Sequence, residues 1–444
     1  MSTSQPFGFP DFDPKVILQL FLEQKYGAIA DEFLRILSYF DQQIYTKYPT
    51  VLKIYIDQFL SQFFYIFTQS EFELPENYAR AFIRYNKLIA NLTAISSYKT
   101  TDVYLKILLP HWEKLSQILT LYSPRNAIQL DYNKIFISNP ELACYWYSYV
   151  FSHSLSSLVN PNVAERLKFH CAYDHPNLTE FFNHADLYCG STYIDPALDR
   201  ILKYHINQSL QQEYLAKQSA ETFIVQLPHQ SKKIAIVSDF WYPHHAVYRL
   251  LFNHIASLSQ QYQLTLIYFN KREEKPDTSL FQEVIHLEMK EDEFNLETLD
   301  FVREQNFACL YFTDVGMGAE SIHLANLRLA SIQCSGVGYG VSSFGAKIDY
   351  FFSGKQVEQP KKAENFYSER LVLLPGLGIT HQPIQYKLAE TDYTEQRCLI
   401  INCPWSAQKI NVPLLQGLKK MTEKAHQPLL FRQFKFEVQH LGSF

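Results

Sequence analysis

Apolar residues recur at three- and four-residue spacing through most of the first 217 residues, the period of an amphipathic helix and not of a strand. FDPKVILQLFLEQ (12–24) sets an aspartate and a proline ahead of such a run, the residue types that cap and open a helix. The same spacing predicts helices over 31–44, 50–67, 77–95, 140–155 and 195–217. Each has one face of Leu, Ile, Phe and Tyr and an opposite polar face. No fixed period joins these segments, so an irregular helical array is expected in place of a solenoid.

The texture changes near residue 230. IAIVSDF (234–240) is a compact apolar run of the kind buried in parallel sheets. A helical pattern follows over 244–261, then a strand over 263–269, a charged loop, a helix over 295–306, a strand over 308–314 and a helix over 318–330. Short strands are predicted within 331–340, 347–354 and 369–376. Strand and helix alternating at this spacing predict a doubly wound parallel sheet. After a polar linker (378–397) the pattern restarts, with a strand over 398–406, a helix over 411–425 and a strand over 428–434. The expected fold class is α + α/β, in three parts: an all-helical N-terminal domain (1–228), a Rossmann-like half (229–388) and the start of a second Rossmann-like half (389–444). One strand–helix–strand unit does not cover both faces of a parallel sheet, so the second half is expected to be incomplete.

Bulk composition excludes several classes. At 444 residues the chain holds about two or three domains, and 47% hydrophobic residues suffice for buried cores. No run approaches the ~20 apolar residues that span a bilayer. The first residues lack the basic-then-apolar order of a secretory signal, so a cytoplasmic location is expected. A net charge of -5 argues against a nucleic-acid partner. The seven cysteines form no CxxC pair and sit mostly in apolar surroundings, which reads as buried, reduced thiols.

Candidate chemistry falls where strands give way to helices, the end of an open α/β sheet at which ligands bind. SDFWYPHHAVYR (238–249) places His244 and His245 at such a turn, as general base, anion donor or simple cap. YFTDVGMGAES (311–321) runs a strand into Gly316 and Gly318, which permit close backbone approach or form an ordinary tight turn. SGVGYGVSSFG (335–345) gathers Gly336, Gly338, Gly340 and Gly345, so that backbone amides or the hydroxyls of Ser342 and Ser343 can approach a ligand; a flexible connection is the other reading. NCPWSAQKINVP (402–413) sets Lys409 just before a helix start, a diphosphate site or a solvated lysine. Asp174 and Asp195 precede a proline or a helix start, and capping accounts for each.

Taken in order, SDF…HHAVYR, TDVGMGA…LRLASIQ…GYG, FYSERLVLLPG and NCPW…KIN resemble the catalytic region shared by O-GlcNAc transferase and the bacterial adhesin-glycosylating protein N-glucosyltransferases, glycosyltransferase family 41. The resemblance runs from about residue 130 to about 433, and the bacterial branch is the more similar. It implies a helical domain followed by two Rossmann-like halves in the GT-B arrangement. It matches His245 to a functional histidine at the mouth of the acceptor cleft, Gly338 to a glycine-rich loop near the donor sugar, and Lys409 to a lysine that meets the donor diphosphate. Asp195 is matched to the family's acidic residue, with Asp174 as the alternative.

What the resemblance implies about activity is a metal-independent, inverting transfer from UDP-glucose or another UDP-hexose to Asn in an Asn-x-Ser/Thr context of an adhesin-like polypeptide. No cofactor and no metal are expected. Lysine, helix dipole and amides would stabilise the departing diphosphate, and positioning would compensate for a poorly nucleophilic amide. Family members continue well past the position of residue 444, so a C-terminally truncated product with impaired donor binding is the expectation. A non-catalytic polypeptide-binding or accessory module derived from the family is the other reading.

Overall fold

The computed structural model describes residues 9–42, 50–151, 165, 184–193, 195–217, 231–269, 274–290, 294–359, 361–381, 399–403, 405 and 409–433. Contacts divide the chain into two compact units, Met1–Asp195 with Tyr393–Phe444, and Pro196–Asp392.

The first unit opens with helices α1 (Pro14–Leu22), α2 (Tyr26–Gln42), α3 (Thr50–Phe67), α4 (Glu76–Arg84) and α5 (Asn86–Ile95). They are followed by α6 (Asp102–Leu108), α7 (Leu115–Leu121), α8 (Tyr132–Ser138), α9 (Pro140–Phe151) and α10 (His184–Ser191). Asp13 caps α1 as its sequence predicts, accepting from the Lys15 N–H at 2.9 Å with Pro14 in the first turn. The core is aromatic: the Phe63 ring meets Phe33, Phe59, Phe67 and Phe82 at centroid distances of 5.1, 5.7, 4.3 and 6.2 Å. Burying one such ring contributes about 1.5–3 kcal/mol before the geometric preference of ring pairs is added.

The single helix predicted over 77–95 is broken at Tyr85, and the cause is Asn86. Its amide donates to the carbonyls of Leu119, Thr120 and Tyr122 at 2.7, 3.0 and 2.7 Å, closing the end of α7. Its two amide hydrogens, shared among three carbonyl oxygens, tie the start of α5 to the end of α7 where the predicted helix is interrupted. The same unit holds the restart: β8 (Leu399–Cys403), α15 (Val412–Lys424) and β9 (Leu429–Gln433), the two strands paired in parallel.

The second unit begins with a long helix, α11 (Pro196–Lys217), and then alternates β1 (Lys233–Ser238), α12 (Ala246–Ser259), β2 (Gln263–Phe269), β3 (Glu283–Leu287), α13 (Leu296–Glu304), β4 (Cys309–Phe312), α14 (Ala319–Ala325), β5 (Ile332–Gly336), β6 (Tyr350–Gly354) and β7 (Arg370–Leu374). All seven strands are parallel, in the order β3-β2-β1-β4-β5-β6-β7. This is the expected doubly wound sheet. Alternate residues of β1 feed two cores: Ala235 and Val237 pack with Leu299, Val302, Leu324 and Tyr214, while Ile236 packs with Val247, Leu251 and Ile255 of α12.

The apolar pattern predicts no strand at β3. It is one of the two edge strands, and only Ile285 and Leu287 of EVIHL are buried, so its run carries a glutamate and a histidine in place of continuous apolar residues. Strand order reverses between β1 and β4. Their carboxyl ends therefore flank the crevice in which such sheets bind ligands.

Candidate functional site

Three loops meet at that switch point. The first leaves β1 and carries SDFWYPHH. His245 is the cap of α12: its Nδ1 accepts from the Val247 N–H at 3.3 Å. A ring nitrogen that accepts is unprotonated, so the neutral imidazole carries its proton on Nε2. Phe240 stacks on the same ring, 4.5 Å between centroids and 18° between planes. His244 beside it is exposed and faces Glu274 at 2.9 Å. His245 thus caps α12, and the cap orients its ring.

The second loop leaves β4. Asp314 is fully buried, and its carboxylate accepts from Ser238 Oγ at 2.9 Å and from the Asp239 and Phe240 N–H groups, each at 3.2 Å. Burial pushes its pKa up to about 6, against the pull of those donors toward the charged form. Gly316 turns with φ 106°, a left-handed conformation. A Cβ on Gly318 would lie 2.4 Å from the Asp239 carboxyl carbon, so that side chain already fills the space over the turn.

The third is the glycine-rich loop after β5. A Cβ on Gly338 would fall 1.8 Å from the Thr313 carbonyl oxygen and 3.4 Å from Val247 Cγ1. Only glycine lets this loop lie on the end of β4 and the first turn of α12. His245 and Gly338 are therefore brought to one corner, with Val247 between them. The hydroxyls of Ser342 and Ser343, read from sequence as able to reach a ligand, instead both donate to buried Glu369, which also accepts from the Ser343 N–H at 2.8 Å. They hold the loop.

Behind that loop, α11 supplies a buried polar layer. Asn207 donates to the carbonyls of Ser343 and Phe344 at 2.6 and 3.2 Å, and Gln211 donates to Gly345 O at 2.8 Å and to Asn326 Oδ1 at 2.9 Å. Lys203 has no exposed surface; its ammonium donates to Asp199 at 3.0 Å and lies 5.2 Å from the Tyr339 ring. A buried pair of this kind is stable only while both partners are present.

The other two matched residues belong to the first unit. Lys409 is exposed and stands two positions before Asn411, the cap of α15, whose Oδ1 accepts from the Leu414 N–H at 3.0 Å. Asn411 also donates to the Tyr193 carbonyl at 3.5 Å, two residues before Asp195. Asp195 immediately precedes α11, which begins at Pro196 as the capping pattern predicts. Asp174 lies outside the described residues. Among the described residues no cluster of His, Cys, Asp and Glu could hold a metal ion, and no helix is long and apolar enough to cross a membrane.

The sequence pattern does not single out Asp314, Asp239 or Glu369. The available signal is an acid directly after an apolar run, in ACLYFTD and IAIVSDF, and before one in ERLVLL. Their importance depends on partners far away in the chain.

No family model and no curated protein sequence matches this chain. Among solved structures, a mutant of the O-GlcNAc transferase of Thermobaculum terrenum is similar at 15% sequence identity and a TM-score of 0.47, over 80% of this chain and 68% of that one.

Proposed function

We propose that this chain is a protein glycosyltransferase that takes a hexose from a nucleotide-diphosphate sugar and attaches it to a polypeptide side chain. The observation that carries the reading is the corner at the β1/β4 switch point, where an oriented imidazole, His245, meets a glycine loop that tolerates no side chain at Gly338. The ordered motifs of the sequence support the same reading. In its finer form the donor is UDP-glucose or another UDP-hexose, and the acceptor is Asn in Asn-x-Ser/Thr of an adhesin-like protein.

In that reaction the bond from the anomeric carbon to the diphosphate oxygen breaks, and a bond from the same carbon to the acceptor nitrogen forms on the opposite face. The amide proton leaves to the Asp195 carboxylate. His245, with its proton on Nε2, supplies a hydrogen-bond donor at the reacting end. Lys409 with the start of α15 supplies positive charge for the leaving diphosphate, and Asp195 supplies a carboxylate to the acceptor.

Incubation with UDP-glucose and an Asn-x-Thr peptide, read by mass spectrometry, tests this. The peptide should gain one hexose, and His245→Ala or Lys409→Ala should slow the gain about 10²- to 10³-fold. Peptide binding with no mass gain under any donor hexose would replace the enzyme reading with that of a polypeptide-binding module.

A further inference from the structure

We propose that Asp314 is a positioning residue for His245 and acts through the ring of Phe240. The proposal rests on the reading of His245 as a functional residue of the site. Asp314 lies two residues past the end of β4, and its carboxylate reaches sideways to the segment leaving β1. There it holds the Ser238 hydroxyl and two successive backbone N–H groups, those of Asp239 and Phe240. Because two of the three donors are main-chain, the clamp fixes the path of the backbone and not merely a rotamer.

Phe240 is the last residue clamped, and its ring is the one stacked on His245 at 4.5 Å. The intervening turn is closed by backbone bonds from Tyr242 N to Phe240 O at 2.9 Å and from His245 N to Tyr242 O at 2.8 Å. The imidazole is thus held on one face by a ring whose own backbone hangs from Asp314, and at Nδ1 by the Val247 N–H. The imidazole of His244, the adjacent residue, is exposed and pairs with Glu274.

The test reads the geometry of His245 directly. Diethyl pyrocarbonate is added to the full chain, and carbethoxylation of His245 is compared with that of His244 by peptide mass spectrometry, His244 serving as the internal control. Asp314→Ala should raise the His245-to-His244 rate ratio about 3- to 10-fold, the shift expected when a buried hydrogen-bonded clamp is lost. Asp314→Asn, which keeps an acceptor, should return the ratio most of the way to that of the native chain. Ser238→Ala, which removes one donor and leaves the carboxylate in place, should give a smaller rise and keeps the test decisive if Asp314→Ala fails to fold. Phe240→Leu should raise the ratio with the clamp intact.

An unchanged ratio in folded Asp314→Ala, or in Ser238→Ala where Asp314→Ala fails to fold, overturns the proposal, as does an unchanged ratio in Phe240→Leu. Hexosyl transfer to the peptide is measured on the same samples. Transfer with no change in ratio removes the positioning role alone; a changed ratio in a chain that never transfers hexose leaves the clamp standing and removes the reading of the site.

Discussion

In the helical region the residues with no exposed surface include Phe33, Phe40, Phe59, Phe63, Phe64, Phe67, Phe72 and Phe82; at the carboxyl edge of the seven-stranded sheet and the helix behind it they include Thr313, Asp314, Ser321, Lys203 and Asn207. Both sets are buried, but the forces differ. Aromatic packing is tolerant of direction and stabilises by area removed from water. Buried polar groups stabilise little on balance and are costly when a partner is lost, so they fix geometry. The helical region is built to stay folded, whereas the sheet edge is built to keep loops in one place.

Four predictions sharpen that contrast. The largest losses should come from breaking each core in its own terms. Lys203→Met removes the buried ammonium that donates to Asp199 and should cost about 3–5 kcal/mol, while a simultaneous Asp199→Leu should recover part of it; urea melts of the two variants check this. If the single change costs no more than the double, the pair is not held as described. Phe63→Ala should cost about 3–5 kcal/mol, with no comparable rescue by any single second change.

Next in size is a pH effect. Asp314 has a folded pKa near 6 against an ordinary 3.8, so its contribution to stability is full below about 3.8 and lost as pH rises through about 6. The amide that Asp314→Asn puts in its place is neutral at every pH. Moving from pH 4 to pH 7, the stability of Asp314→Asn relative to the native chain should therefore improve, by on the order of 3 kcal/mol at most. A relative stability that stays flat or worsens over that range contradicts the burial of this carboxyl. The smallest of the four is Gly338→Ala, about 1–3 kcal/mol, because the loop must lift off the Thr313 carbonyl; thermal melts with limited proteolysis of 337–345 would detect it.

The contrast also explains what is legible in the sequence. Helical spacing and apolar runs are local, so they place α3 at its observed ends, 50–67, and reveal six of the seven strands of the sheet. The strand they miss, β3, lies at an edge and buries only two of its five residues. The break at Tyr85 is not legible, because Asn86 is diverted by carbonyls more than thirty residues downstream. At the site, His245 and Gly338 sit within visible turn and glycine signals. Asp314 lies in the glycine turn 311–321 and Glu369 in the segment before β7, but neither acid is marked out locally, since their partners are brought to them only by the sheet order and by the folded glycine loop.

Hydrogen exchange on the full chain, with and without UDP-glucose and acceptor peptide, reads the location of the site most directly. Slowed exchange should concentrate in 238–247, 313–318 and 336–345 when both are present. Ligand-dependent protection that leaves all three segments unchanged would place the chemistry elsewhere in the molecule.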